Sequence, residues 1–230
     1  YIRAGDWLYL RIFFNSLKLA FFTALSCLLI GYPLAYAMAT APACLRPLLM
    51  GLVVLPFWTN FVIRVYAIKV VLSEHGPISW LAVALGLSVE PVSFLNGSLA
   101  VWLGMVTNYL PFAVLPLYVA LEKFDFSLLE AARDLGASSG QMVMRVLFPL
   151  TRRGMVTGFI LVFTPALGEF IIPDLLGGAR VMMIGNLISE QFLKTRDWPF
   201  GAALALILIV TVMVSLVVYL RNSEEFDGAI

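Results

Sequence analysis

The chain has 230 residues, of which 61% are hydrophobic and 13% charged, with a formal net charge of +1. Soluble domains run at roughly 45–50% apolar and about 25% charged, so this composition cannot be hidden in one soluble core and marks an integral membrane protein. The near-zero charge, with no basic patch beyond Arg152-Arg153, argues against a nucleic-acid partner. Cys27 lies in an apolar run and Cys44 in a short loop, which gives no disulfide framework, and the lone His75 gives no metal spacing.

Five runs, Leu17–Ala39, Leu48–Leu72, Ser98–Leu121, Gly154–Pro173 and Gly201–Leu220, stand out along the chain. Each approaches the roughly 20 apolar residues that a bilayer-crossing helix needs. Asn60, Arg64 and Lys69 interrupt the second, whose apolar core is expected to stop near Ile63. Pro33, Pro56, Pro111 and Pro116 fall inside spans and should bend or locally unwind them. The polar tail Asn222–Ile230 reads as a frayed terminus. The expected fold is an all-α integral membrane protein, a polytopic helical bundle forming one transmembrane domain over residues 1–230.

Lys and Arg set the orientation. Lys123, Arg133, Arg145, Arg152 and Arg153 follow the third span, and Arg46 and Arg221 share their side; the other side has Arg180, Lys194 and Arg196. Seven against three puts the loop over residues 122–153 in the cytoplasm. An odd number of spans then leaves Tyr1 outside, so a sixth helix is expected upstream of it.

That loop is a charged, helix-forming island between membrane spans. Ser127-x-x-Glu130 and Ser138-x-x-Gln141 have the spacing of capping boxes, in which two helix-start N–H groups are satisfied reciprocally. Gly136 falls where the first short helix must end, a position that favours positive φ. The local expectation is helix, glycine turn, helix, then a stop at Pro149.

The order Glu130-Ala131-Ala132, three residues, Gly136, nine residues, then Val146-Leu147-Phe148-Pro149 resembles the E-A-A loop of permease subunits in bacterial ABC importers. Val146 and Phe148 replace the usual Ile and Leu of that ending. The resemblance implies a coupling element, carried by Glu130, Ala131, Ala132, Asp134, Gly136 and Pro149, that docks into a separate ATPase subunit. No Gly-Lys-[Ser/Thr] occurs, so the chain has no P-loop of its own. No covalent chemistry is expected of it, and no cofactor: ATP and Mg would be bound by the partner ATPase subunits.

The second informative stretch is Gly168-Glu169-Phe170-Ile171-Ile172-Pro173-Asp174. A carboxylate in a membrane segment is costly and faces either a cavity or a partner charge such as Arg64. Glu169 is that residue, and Asp174 is expected at the mouth of the same cavity. Two carboxylates with aromatic neighbours suit a polycation. Trp58, Asn60 and Tyr66, around Arg64, read either as an interfacial belt with a snorkelling arginine or as a cavity wall. Asn108 and Tyr109 invite the same two readings.

Leu55-Pro56-Phe57-Trp58-Thr59-Asn60, the run from Gly168 to Gly178, and Arg196-Asp197-Trp198-Pro199 look like the permeases of putrescine/spermidine importers. What this implies is a multi-pass permease in a bacterial inner membrane, in contact with lipid. It would work with a second, homologous permease subunit, an ATPase dimer and a periplasmic polyamine-binding protein. Glu169 and Asp174 would then attract ammonium groups. Import of another small solute, such as an anion or metal complex, and a stand-alone secondary transporter are the rival readings.

Overall fold

The computed structural model describes residues 7–86, 90 and 93–227. Tyr1 and residues 228–230 of the expected tail lie outside them. A bilayer offers the backbone no water, so long apolar runs must close their hydrogen bonds within the segment. The described residues accordingly form helices and connecting turns, with no strand among them. The membrane helices are α1 (Trp7–Thr40), α5 (Ser98–Glu122), α8 (Phe148–Leu167) and α10 (Trp198–Asp227). A pair bent by 94° is together long and apolar enough for one further span: α2 (Arg46–Val54) with its 3-10 turn Leu55–Trp58, then α3 (Phe61–Leu72) and α4 (Pro77–Ala84). Short helices α6 (Ser127–Asp134), α7 (Ser139–Met142) and α9 (Ile184–Glu190) complete the order.

Several expected boundaries move, each for a local reason. Helix α1 starts at Trp7 rather than Leu17, because Tyr9 meets Phe200 edge-on at 5.1 Å and Ile12 packs with Ile184, Leu187 and Leu204. The second span breaks at Thr59-Asn60, earlier than Ile63. Asn60 Oδ1 accepts from the N–H groups of Val62 (2.9 Å) and Ile63 (3.4 Å), which restarts the helix. Pro56 sits in the 3-10 turn that ends the first half, whereas Pro33, Pro111 and Pro116 lie inside unbroken helices. The fourth span ends at Leu167, short of Pro173, and Pro149 does not stop it. Helix runs continuously from Ser139 to Leu167 through a π turn at Val143–Leu147, whose wider backbone absorbs the N–H that proline lacks. The expected frayed tail is helical as far as Asp227, where α10 simply continues its ladder.

The core is the mutual packing of α1, α5 and α8. Lipid tails are as apolar as leucine, so close contact between helices has to come from small residues. Helix α1 buries Ala20, Ala24, Cys27, Gly31 and Ala35 along one face. Helix α8 answers with Gly154-x-x-x-Gly158, lying against Ala113, Pro116 and Ala120 of α5. A Cβ at Gly154 would collide with Ala120 and with the Pro116 carbonyl. Around this core, α10 turns large apolar side chains outward, among them Leu206 (55% exposed), Val210 (57%) and Met213 (58%). Such an apolar outer face belongs in lipid. Replacing Gly154 by Leu should destabilise the detergent-solubilised protein by about 1–3 kcal/mol through overpacking. Thermal unfolding of the purified variant measures this, and an unchanged midpoint would show that α5 and α8 are not held at this distance.

Candidate functional site

Two regions carry the polar and charged side chains that composition alone would not place in a membrane. The first lies where α8 ends. The residues after Leu167 leave the helix, and their N–H groups need acceptors in a place where water is scarce. Glu169 supplies one. Its Oε1 accepts from the N–H groups of Phe170 (3.0 Å), Ile171 (2.9 Å) and Ile172 (3.3 Å), while its Oε2 accepts from the Tyr109 hydroxyl. Glu169 is 7% exposed and Tyr109 6%, so the bond is shielded. The carboxylate thus ties the end of α8 to the middle of α5. Asn186 adds a second tie, donating to the Phe170 carbonyl at 2.7 Å.

The expected alternative partner, Arg64, takes no part in this. Its guanidinium stands 5.8 Å from the Phe61 ring centroid, and its Nε and Nη1 are buried without a hydrogen-bond partner. Asn108 is also buried: it donates to the Gly104 carbonyl at 2.8 Å and leaves Oδ1 unbonded. From Tyr109 an aromatic series leads to the break in the second span, through Phe112 (6.1 Å) to Phe57 (4.8 Å). Glu169, Tyr109 and Phe57 are therefore brought into one line. Trp58 is not: it is 87% exposed. Asn60 is exposed as well and serves as the cap of α3, and Tyr66 is half exposed with Lys69 Nζ 5.9 Å from its ring centroid. Asp174 is exposed in the π turn Pro173–Gly177, and no hydrogen bond joins it to Glu169.

The second region is the loop between α5 and α8. Gly136 adopts φ +83°, and the N–H groups of Gly136 and Ala137 close onto the carbonyls of Arg133 (2.9 Å) and Ala132 (3.0 Å). This double closure is a Schellman motif, which requires a left-handed residue at that position. The Ser138–Gln141 capping box forms, with Ser138 Oγ accepting from the Gln141 N–H and Gln141 Oε1 accepting from the Ser138 N–H. The Ser127–Glu130 box does not. Ser127 lies inside α6, and Asp125 Oδ1 accepts from the Ser127 N–H at 3.0 Å instead. Bonds from the Ser127 side chain and backbone hold the Asp125 carboxyl below the usual carboxylate range. The Asp125-x-Ser127 spacing was the signal that could have located this turn. Glu130, Ala131, Asp134 and Pro149 are exposed and Ala132 is half-buried.

Two further features of this loop are not evident in a motif. Leu135 is 90% exposed beside Gly136, an apolar tip on a charged element. Aromatic rings bind the loop to the end of α1: Phe126 meets Tyr36 at 6.1 Å and Phe124 at 5.3 Å, and Tyr32 meets Phe148 at 4.8 Å. The Tyr32 hydroxyl also shares a hydrogen bond of 2.9 Å with Thr151 Oγ1. Movement of the short helix pair would thus be felt directly by α1 and α8.

Comparison with known proteins agrees with this arrangement. Residues 19–223 match the family described as binding-protein-dependent transport system inner membrane component. The chain is 46% identical over 224 residues to the spermidine/putrescine transport system permease protein PotB of Salmonella typhimurium (strain LT2), covering 97% of this chain and 78% of that protein. It is 47% identical over 217 residues to PotB of Haemophilus influenzae, covering 94% of this chain and 76% of that one. In fold it resembles a chain of a bacterial alginate ABC transporter solved with its periplasmic protein, with a TM-score of 0.74 at 19% identity over 96% of this chain and 80% of that one. The chain belongs to the binding-protein-dependent transport system inner membrane components, the multi-pass permease subunits of ABC importers.

Proposed function

We propose that this permease carries the polyamines putrescine and spermidine across the inner membrane, driven by ATP hydrolysis on separate subunits. The observation that carries the reading is the 46% identity to a spermidine/putrescine permease over 97% of the chain. The paired ATPase subunits would dock on α6 and α7, with Leu135 entering an apolar recess and Gly136 fixing the angle between the two helices. Glu130 and Asp134 would meet basic groups there, Ala131 and Ala132 would allow close approach, and Pro149 would set the entry to α8. A second, homologous permease subunit would complete the translocation path, and a periplasmic polyamine-binding protein would deliver the substrate. ATP and Mg would stay with the ATPase partners.

In the membrane, Glu169 supplies the negative charge that a polyammonium ion needs, held in place by Tyr109 and three backbone N–H groups. These four bonding partners are neutral, so none of them competes with a cation for the site. Asp174 would act earlier on the path, and Trp58, Asn60, Tyr66 and Asn108 would offer aromatic faces and amides along it.

Three variants test these roles in the reconstituted complex. Leu135→Glu should abolish substrate-stimulated ATPase activity while leaving insertion of the chain intact; retained stimulation would remove α6 and α7 from the docking surface. Gly136→Pro loses both the positive φ and the N–H bonded to Arg133, so it should uncouple ATP hydrolysis from transport. Normal uptake by that variant would contradict the coupling role. Glu169→Gln should slow spermidine uptake into proteoliposomes by about tenfold, the effect of losing one charge-assisted contact. A lower unfolding midpoint with unchanged uptake would leave Glu169 as a cap alone. The substrate class itself is tested by ATPase stimulation of the complete complex with putrescine, spermidine and a panel of anions, where stimulation by anions only would reject polyamines.

A further inference from the structure

The end of α1 remote from α6 and α7 borders a groove of about 520 Å³ that none of these roles uses. Arg11, Asn15 and Lys18 of α1 line it, together with Arg180 from the segment before α9, and Leu8 and Phe14 lie beside them. The α1 residues are spaced four and then three apart, so one helix face presents both of its cations to the groove. Among the described residues, no carboxylate lines it.

The depth of this groove in the membrane follows from the helix length. Helix α1 has 34 residues and spans about 51 Å at 1.5 Å per residue, against a hydrocarbon core of about 30 Å. Its uncharged stretch, Leu19–Thr40, is 22 residues long, about 33 Å, and so fills that core. Lys18 therefore stands at the edge of the hydrocarbon and Arg11 about 10 Å further out, at headgroup level. Below Lys18 the same side of α1 is apolar and uncovered: Phe21 is 47% exposed and Leu25 37%. A cationic niche at headgroup depth thus continues into an apolar strip at acyl-chain depth.

We propose that this groove binds an anionic phospholipid by its phosphodiester, with Arg11, Lys18 and Arg180 holding the phosphate oxygens and an acyl chain lying along Phe21 and Leu25. Guanidinium forks match phosphate oxygens bidentately, and the lysine adds a flexible point charge that can snorkel to the headgroup. An acidic protein loop would engage the cations and leave the apolar strip empty, whereas a lipid engages both.

The test is lipid retention by the intact transporter complex. It is read by native mass spectrometry after delipidation and exposure to phosphatidylglycerol or phosphatidylcholine. The wild type should prefer phosphatidylglycerol. The triple variant Arg11→Gln/Lys18→Gln/Arg180→Gln should lose that preference by about tenfold, and Arg11→Lys/Arg180→Lys should keep most of it. If the triple variant does not assemble, Lys18→Gln alone provides the comparison. Equal retention by wild type and the glutamine variants overturns the proposal. Full competition by glycerophosphoglycerol, the deacylated headgroup, also overturns it, because the ligand is then a soluble phosphodiester. So does unchanged lipid retention in a variant that has lost stimulation by a periplasmic binding protein, which assigns the groove to protein docking.

Discussion

Every interruption of a helix in a membrane exposes backbone N–H and C=O groups to a solvent that cannot bond them. This constraint organises the whole molecule. Four of the breaks carry a side chain that answers the freed groups. Glu169 takes three N–H groups where α8 ends. Asn60 takes two where α3 begins. In the loop between α5 and α8, Asp125 and Ser138 do the same for α6 and α7. The Glu169 cap has the widest reach, because its second oxygen is held by Tyr109 and so couples the end of α8 to α5.

A polar residue in a membrane span therefore has two possible reasons to be there, and they are compatible. Glu169 is first a cap, and in the proposed role its charge also serves a passing cation. Asn60 is first the start of α3, and its exposed position is a consequence of the 94° bend it helps to make. Close packing of α1, α5 and α8 through alanine and glycine gives these caps a rigid frame. The aromatic set of Tyr32, Tyr36, Phe124, Phe126 and Phe148 fastens the short helix pair α6 and α7 to that frame. The short helices and the membrane helices are thereby joined by side chains as well as by the chain itself.

Much of this was legible from residue order. Apolar run length located the four long helices and the bent pair, the E-A-A spacing and Gly136 located the short helices between α5 and α8, and the Ser138–Gln141 box formed as its spacing implied. What stayed hidden depends on contacts between distant segments. Nothing local marks Tyr109 as the partner of Glu169, sixty residues away, and Arg64 was the expected partner only because it carries the opposite charge. Pro149 reads locally as a stop, yet a π turn lets the helix pass. The first turns of α1 depended on Phe200 and Ile184, far along the chain, and these ten extra residues bring Arg11 and Asn15 to the cationic groove. Conversely, Gly154-x-x-x-Gly158 and Asp125-x-Ser127 are local patterns that could have been read and point to a packing face and a cap.

The account rests on one claim: this chain moves a polyamine only when separate subunits hydrolyse ATP. Uptake of labelled spermidine into proteoliposomes that hold the complete complex measures this directly. It predicts uptake that requires ATP on the side of α6 and α7, that stops with a hydrolysis-dead ATPase partner, and that is indifferent to an imposed ion gradient. Uptake driven by an ion gradient through this chain without ATPase subunits would contradict it.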